Sequence, residues 1–289
     1  MKNFSAIALI LLFGSLLPQS DLSADVLIKD FFGAISNWTN FKLEVETKEE
    51  LQRISIDDGS ENLDSETVSS LNHARTNAYQ RAKKDNRQKL NRALEKITID
   101  ENYNLGEYMD ENPNLREKII HYYNAEPEIE KKKYEKNFLY LKSQLHFLGK
   151  NNLISKFYSE LGGEEFPILN DNLPPVAFTG LVIDARDFKL NPAIFPKIQN
   201  EYGADIFNKR IAHPASVQEF GMILYLSDPK SKLLEKRVGN NPYWTVPIGV
   251  TGKNKTNLTV SYEVALKILS STITQKNLKL CKIVILVAE

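Results

Sequence analysis

Two periodicities alternate along this chain, and each predicts a different element. Residues 41–46 alternate apolar and charged side chains, with Phe41, Leu43 and Val45 set against Lys42, Glu44 and Glu46. This is the mark of a strand with one buried face. The turn-rich Asp57-Asp-Gly-Ser60 then breaks the chain. From Glu66 to Ala93 there is no Gly or Pro, and Val68, Leu71, Ala74, Ala78, Ala82, Leu90, Ala93 and Leu94 recur near helical spacing. The spacing predicts one long helix over 64–94, capped by Asp64 or Ser65, with an alanine-rich middle that lets it lie close on a sheet. Its other faces carry Arg75, Arg81, Lys83, Lys84, Arg87 and Lys89. These read as a solvated surface or as a ridge for acidic polymers or lipid headgroups.

Weaker patterns fill the rest of the chain. Residues 26–32 read as a short helix or strand, a strand starts at 97–99, a loop spans 110–114 around Pro113, and a short helix covers 115–123. Residues 134–147 read as one long strand. A helix over 153–161 is closed by Gly162 and Gly163. Residues 164–175, dense in Gly, Pro and Asn, form the best linker. Beyond it, strands are expected over 176–183, 220–226, 243–250 and 279–287, and helices over 230–236 and 262–269, the latter capped by Thr259 or Ser261.

Composition adds location. Lys2 and the apolar run 6–17, ending near Leu22-Ser23-Ala24, read as a signal peptide over 1–24, too short to be a membrane anchor. Cleavage would leave 265 residues, divided into an N-terminal unit over 25–165 and a C-terminal unit over 166–289. The first carries 21 Lys and Arg against 26 Asp and Glu, a net of −5; the second 15 against 10, a net of +5. Complementary halves of this kind suit docking on each other or head-to-tail self-association. Neither is basic enough to point to nucleic acid. The lone Cys281 sits in an apolar run and reads as a buried small hydrophobe. With no cysteine near the cleavage site, no lipid anchor is expected, and no transmembrane segment is expected in the mature chain.

Candidate chemistry is sparse. In the strand Leu181-Val-Ile183, followed by Asp184-Ala-Arg186, a carboxylate and a guanidinium two residues apart share a face. Arg186 held by Asp184 would bind a carboxylate or phosphate. Alternatively, the two form an internal ion pair whose loss, if buried, would be strongly destabilising. Arg237 is the third member of a possible pocket. Tyr243 and Trp244 form either a patch for a glycan or protein partner or, as tryptophans more commonly do, part of the core. The run 247–256, with Gly249, Gly252 and Lys253, lacks the spacing of a phosphate loop and reads as a hairpin or a strand-to-helix turn. His73, His121, His146 and His213 show no metal-ligand spacing, and neither metal nor cofactor is expected.

The segments Thr179-Gly-Leu-Val-Ile-Asp-Ala-Arg186, Asn191-Pro-Ala-Ile-Phe-Pro196 and Arg237-Val-Gly-Asn-Asn-Pro242, with the strand after Cys281, carry a resemblance. They look like the C-terminal half of secreted bacterial envelope proteins similar to the FlgP/FlgT group of outer-membrane and flagellar-ring accessory proteins. Asp187-Phe188 stands where those proteins carry glycine, and their lipidated cysteine is missing. The resemblance implies a soluble periplasmic, non-enzymatic assembly or stabilising protein with envelope or flagellar partners. The alternative is an exported ligand-binding protein or hydrolase acting on cell-wall or peptide carboxylates. The expected fold is α+β: two small helix-on-sheet domains after a cleaved signal peptide.

Overall fold

The computed structural model describes residues 25–30, 33–52, 68–124, 126–169 and 173–288. The expected signal segment over 1–24, the turn at 57–60 and the cap at Asp64 or Ser65 lie outside them. The fold is α+β. In the first half, β1 (Leu27–Lys29), β2 (Ile35–Asn37) and β3 (Lys42–Glu50) run antiparallel and join a hairpin of β4 (Glu128–Glu135) and β5 (Phe138–His146), in the order β1-β2-β3-β5-β4. Helix α1 (Val68–Glu95) lies across β3 and β5, as its stripe predicts. Ala74, Ala78 and Ala82 are buried at intervals of four, and Leu90 and Leu94 are fully enclosed. Each such leucine contributes about 1.5–3 kcal/mol of burial. Between the alanines and the leucines sits a buried Asn86, whose Nδ2 donates to the Leu141 carbonyl and to Ser143 Oγ, both at 2.9 Å.

Four expectations for this half are corrected. Residues 97–99 do not start a sheet strand. Thr98 makes one bridge with Asn104, and the Thr98 and Ile99 carbonyls accept from the Ile194 and Phe195 amides of the other half. The loop expected around Pro113 is the junction of α2 (Leu105–Glu111) and α3 (Pro113–Asn124), where the missing proline N–H occupies a first-turn position that needs no partner. The long strand over 134–147 is a hairpin that turns at Lys136, whose φ is 54°. Its first strand, rich in Lys and Glu, is an exposed edge and so carries no apolar alternation. The helix after residue 152 is of the tighter 3-10 type, Leu153–Glu160.

The second half holds a four-stranded sheet in which every pairing is parallel: β6 (Leu181–Asp184), β9 (Leu224–Leu226), β10 (Tyr243–Thr245) and β13 (Ile283–Leu286), in the order β10-β6-β13-β9. A second sheet, in the order β11-β12-β7-β8, combines β7 (Ile198–Asn200), β8 (Asp205–Phe207), β11 (Gly249–Thr251) and β12 (Asn257–Val260). Four helices complete it: α4 (Pro214–Phe220), α5 (Lys232–Val238), α6 (Tyr262–Leu269) and α7 (Thr272–Lys279). Helix α6 has the expected bounds and is capped by Ser261, whose side chain accepts from the Val264 amide. The expected strands are all shorter than their apolar runs. The run over 220–226 opens with the end of α4, and that over 279–287 opens with the end of α7. The run over 243–250 divides between two sheets at Pro247. The run 247–256 is the β11–β12 hairpin.

Alternate residues of the parallel strands face opposite ways. Val182, Leu226, Val284 and Leu286 pack under α5 through Leu234 and Val238. Leu181, Ile183, Tyr225, Ile283 and Ile285 join a core that runs without interruption into the first half, through Trp38, Phe41 and Leu43. Burial on both faces is why these strands read as continuous apolar runs. Thr39 Oγ1 donates to the Tyr225 carbonyl at 2.7 Å, and the Trp38 and Tyr225 rings meet edge to face at 6.1 Å. The Tyr225 hydroxyl accepts from the Ala193 amide and donates to its carbonyl, both at 3.1 Å.

Tyr225→Phe leaves both backbone groups of Ala193 buried without that partner, so urea unfolding should lose about 1–3 kcal/mol. Cys281 is fully enclosed, and burial pushes its thiol up to about 12. It should therefore stay silent to a disulfide reagent in the folded protein and react only on unfolding; rapid labelling of native protein would contradict the packing.

Candidate functional site

The parallel sheet has two distinct ends. At the carboxyl end, β6 delivers Asp184, and the chain turns so that Arg186 folds back on it. Arg186 Nε donates to Oδ1 at 2.8 Å and Nη2 to Oδ2 at 2.6 Å. The pair that the sequence placed on one face is therefore a two-pronged ion pair, and it lies at the surface rather than in the interior. The guanidinium holds the Asp184 carboxyl below its usual range. Asp187 and Asp228 stand close enough to act on Arg186 as well. A cation already paired and flanked by carboxylates is poorly placed to capture a further anion.

In open parallel sheets, crevices form beyond the carboxyl ends of the strands. One is present here, with a volume of about 380 Å³. Leu190, Pro192, Ser227 and Val287 line it, and β1 closes it with Val26 and Leu27. Neither Asp184, Arg186 nor Arg237 reaches it. Its lining is mostly apolar but includes Asp25 and Asn191, and the Ser227 Oγ is buried with no hydrogen-bond partner. The sequence singled out only the 191–196 segment and the strand after Cys281 among these residues; the lining comes from four separate segments, and no local spacing links them.

Arg237 is at the opposite end. It precedes Val238 and Gly239, which lie against Gly180 and Thr179 at the start of β6, so it is about 13 Å of strand away from Asp184. Its Nη1 donates to the Phe220 carbonyl at 2.9 Å and Nη2 to Gly221 at 2.6 Å, closing the end of α4. Burial draws its pKa down to about 10. The pocket uniting Asp184, Arg186 and Arg237 is thus corrected: Arg237 staples two helices, and no pocket joins the three. At Gly180 an added Cβ would lie 2.6 Å from Val238 Cβ and 2.7 Å from the Lys282 carbonyl, so only glycine lets α5 settle here.

Tyr243 packs its ring on Phe178 at 4.9 Å. Trp244 is 48% exposed, which corrects the expectation of a core tryptophan. It begins a ridge, since Val246 and Ile248 are 58% and 54% exposed. Residues 243–251 form the outer edge of the parallel sheet through β10 and of the neighbouring sheet through β11. The interval of two between Trp244, Val246 and Ile248 was visible in the sequence as strand alternation; that this apolar side faces solvent was not. The cations of α1 are largely occupied: Arg81 pairs with Glu49, Lys83 with Glu126 at 2.6 Å and Lys89 with Asp85 at 2.7 Å, while Arg75 lies over the Tyr134 ring. Among the described residues there is no group of three metal-binding side chains, and no helix is long and apolar enough to cross a membrane.

Residues 180–289 match the family model described as Treponema pallidum Tp0624, second domain. The match begins at Gly180, the position where α5 meets β6, and covers the whole parallel sheet. No curated protein matches the chain.

Two outcomes follow for the arginines. Arg237→Ala should destabilise the protein by about 2–3 kcal/mol in urea unfolding, and Arg237→Lys should not restore it, because an ammonium lacks the fork that reaches both carbonyls. Arg186→Ala should scarcely move the unfolding midpoint at neutral pH. The Asp184 carboxyl is depressed in the folded state, so whatever the pair contributes is present above the unfolded value. It is lost as pH falls below about 4. Wild type and Arg186→Ala should therefore converge in thermal stability in acid.

Proposed function

We propose that this protein is a non-enzymatic assembly or stabilising protein of the bacterial cell envelope, periplasmic and associated with the flagellum, that works by holding protein partners. The observation that carries this reading is the ridge of Trp244, on the outer strand β10, with Val246 and Ile248, on the connection to the outer strand β11. Large apolar side chains grouped on a surface favour protein contacts, and a tryptophan among them is the usual anchor. A free edge also offers unpaired backbone groups to an added strand. The resemblance of residues 179–186, 191–196 and 237–242 to the FlgP/FlgT group of envelope proteins supports the location and the partners, as does the signal-like segment at residues 1–24. The match of residues 180–289 to one domain of a Treponema pallidum protein supports reading the second half as a unit that is reused. A self-satisfied Asp184–Arg186 pair argues against a carboxylate-reading site at that position.

One observation favours the second reading, an exported ligand-binding protein: the crevice at the carboxyl end of the parallel sheet. Its mostly apolar walls, buried hydroxyl and the Asp25 carboxylate among its lining suit a small, largely apolar ligand with a polar group rather than a carboxylate.

Tagged wild-type protein, cross-linked in cells and recovered, should carry basal-body or outer-membrane proteins identified by mass spectrometry. A variant with Trp244→Ser, Val246→Ser and Ile248→Ser should lose them at least tenfold while unfolding at the wild-type midpoint. Recovery of the wild-type protein alone would sink the assembly reading and leave the crevice as the site to screen.

A further inference from the structure

An open cleft of about 560 Å³ lies between α3 and the 3-10 helix. Lys118 and His121 reach it from α3, Lys150 from the turn after β5, and Lys156, Ser155 and Ser159 from the 3-10 helix. No carboxylate lines it. Among the described residues Lys118, Lys150 and Lys156 have no ion pair or hydrogen bond, whereas most lysines of α1 and of the seam between the halves are matched with Glu or Asp. The nearest carboxylate on the same helix, Glu160, is drawn to the opposite side, where it accepts from the Tyr108 hydroxyl at 2.6 Å and Lys209 Nζ at 2.8 Å.

The cations stand on a rigid base. Ile119 and Tyr122 on α3, and Leu153, Ile154 and Phe157 on the 3-10 helix, are buried in the main core. The turn that carries Lys150 is held from both sides: the Gly149 amide donates to the Gln218 carbonyl at 2.9 Å, and the Asn152 side chain donates to the Leu148 carbonyl. Ser155 Oγ donates to the Asn152 carbonyl at 2.6 Å, which leaves its lone pairs for another donor, while the Ser159 hydroxyl is exposed. Three ammonium groups line one cleft without counter-charge among its lining residues, and a bound anion would supply it. Ammonium groups act as point charges suited to phosphate, and a hydroxyl can donate to a third oxygen.

From this we infer that the cleft between α3 and the 3-10 helix binds a phosphoryl group, carried either by a soluble phosphate ester or by a phospholipid headgroup. The inference is independent of the assembly reading, since none of the ridge residues takes part.

The test uses the full mature chain at low and at physiological ionic strength, with two probes: inorganic phosphate followed by titration calorimetry, and phosphatidylglycerol vesicles followed by co-sedimentation. At least one should bind, more weakly at high salt. Each of Lys118→Gln, Lys150→Gln and Lys156→Gln should weaken binding about fivefold, and the triple variant on the order of a hundredfold. The unfolding midpoint should not change, because these side chains stand outside the core. Binding of phosphate alone identifies a soluble ester as the ligand class, and binding of vesicles alone identifies the headgroup. Failure of both probes, or binding that survives the triple substitution, overturns the inference.

Discussion

The structure depends on one close approach. The ring of Phe41, at the start of β3, lies so near Gly221 that an added Cβ there would stand 2.7 Å from it, and Gly221 has a φ of 73° that suits glycine. Around this contact Thr39 bonds the backbone of β9, Trp38 meets Tyr225, and a single apolar core runs from Val26 to Val287. The first sheet is therefore not an independent lobe tethered by a linker. It covers the core-facing side of the parallel sheet, which would otherwise expose Leu181, Ile183 and Ile285. The backbone bonds from Ile194 and Phe195 to Thr98 and Ile99 extend the same joint. The opposite net charges of the halves meet at only a few positions, such as Lys197 on Glu101 and Lys209 on Glu160. Apolar burial is the larger force here, because exposed or half-exposed ion pairs contribute little.

Once the parallel sheet is enclosed, its two ends take different roles. At the amino end, Gly180 admits Val238, and Arg237 reaches across to the carboxyl end of α4. Both Nη atoms of Arg237 hold the end of α4, whereas its Nε is buried without a partner. The carboxyl end is looser. Asp184 and Arg186 satisfy each other at the surface, and beside them the chain leaves a crevice with an unpartnered hydroxyl. Two arginines that look alike in the sequence thus do different work. One is buried and structural, and the other is exposed and dispensable for the fold.

Three surfaces remain for function: the ridge of Trp244, Val246 and Ile248, the crevice at the sheet end and the lysine cleft between α3 and the 3-10 helix. They differ in chemistry. Dewetting of large apolar side chains favours a protein at the ridge, an enclosed apolar space favours a small molecule in the crevice, and unpaired ammonium groups favour an anion in the cleft. Separation of this kind suits a protein that holds a partner and a second component at once.

The sequence by itself determined the elements whose information is local. The stripe of Ala74, Ala78, Ala82, Leu90 and Leu94 specified α1, a cap at Thr259 or Ser261 marked the start of α6, and the dense apolar runs at 181–183 and 283–287 specified the central strands. It also identified Asp184 and Arg186 as neighbours, because a two-residue interval fixes a shared side. It did not reveal β4, whose charges hide an edge strand, nor α2, nor that the helix expected over 115–123 starts at Pro113, nor the hairpin within 134–147. Only the tertiary structure decided which apolar side of a strand is buried, so Tyr225 is enclosed while Trp244 is not. Only it set Arg237 at the opposite end of the sheet from Arg186. Periodicity reports the side of a chain on which residues fall, but burial depends on what another segment brings to that side, and such a segment can be 186 residues away, as Thr39 is from Tyr225.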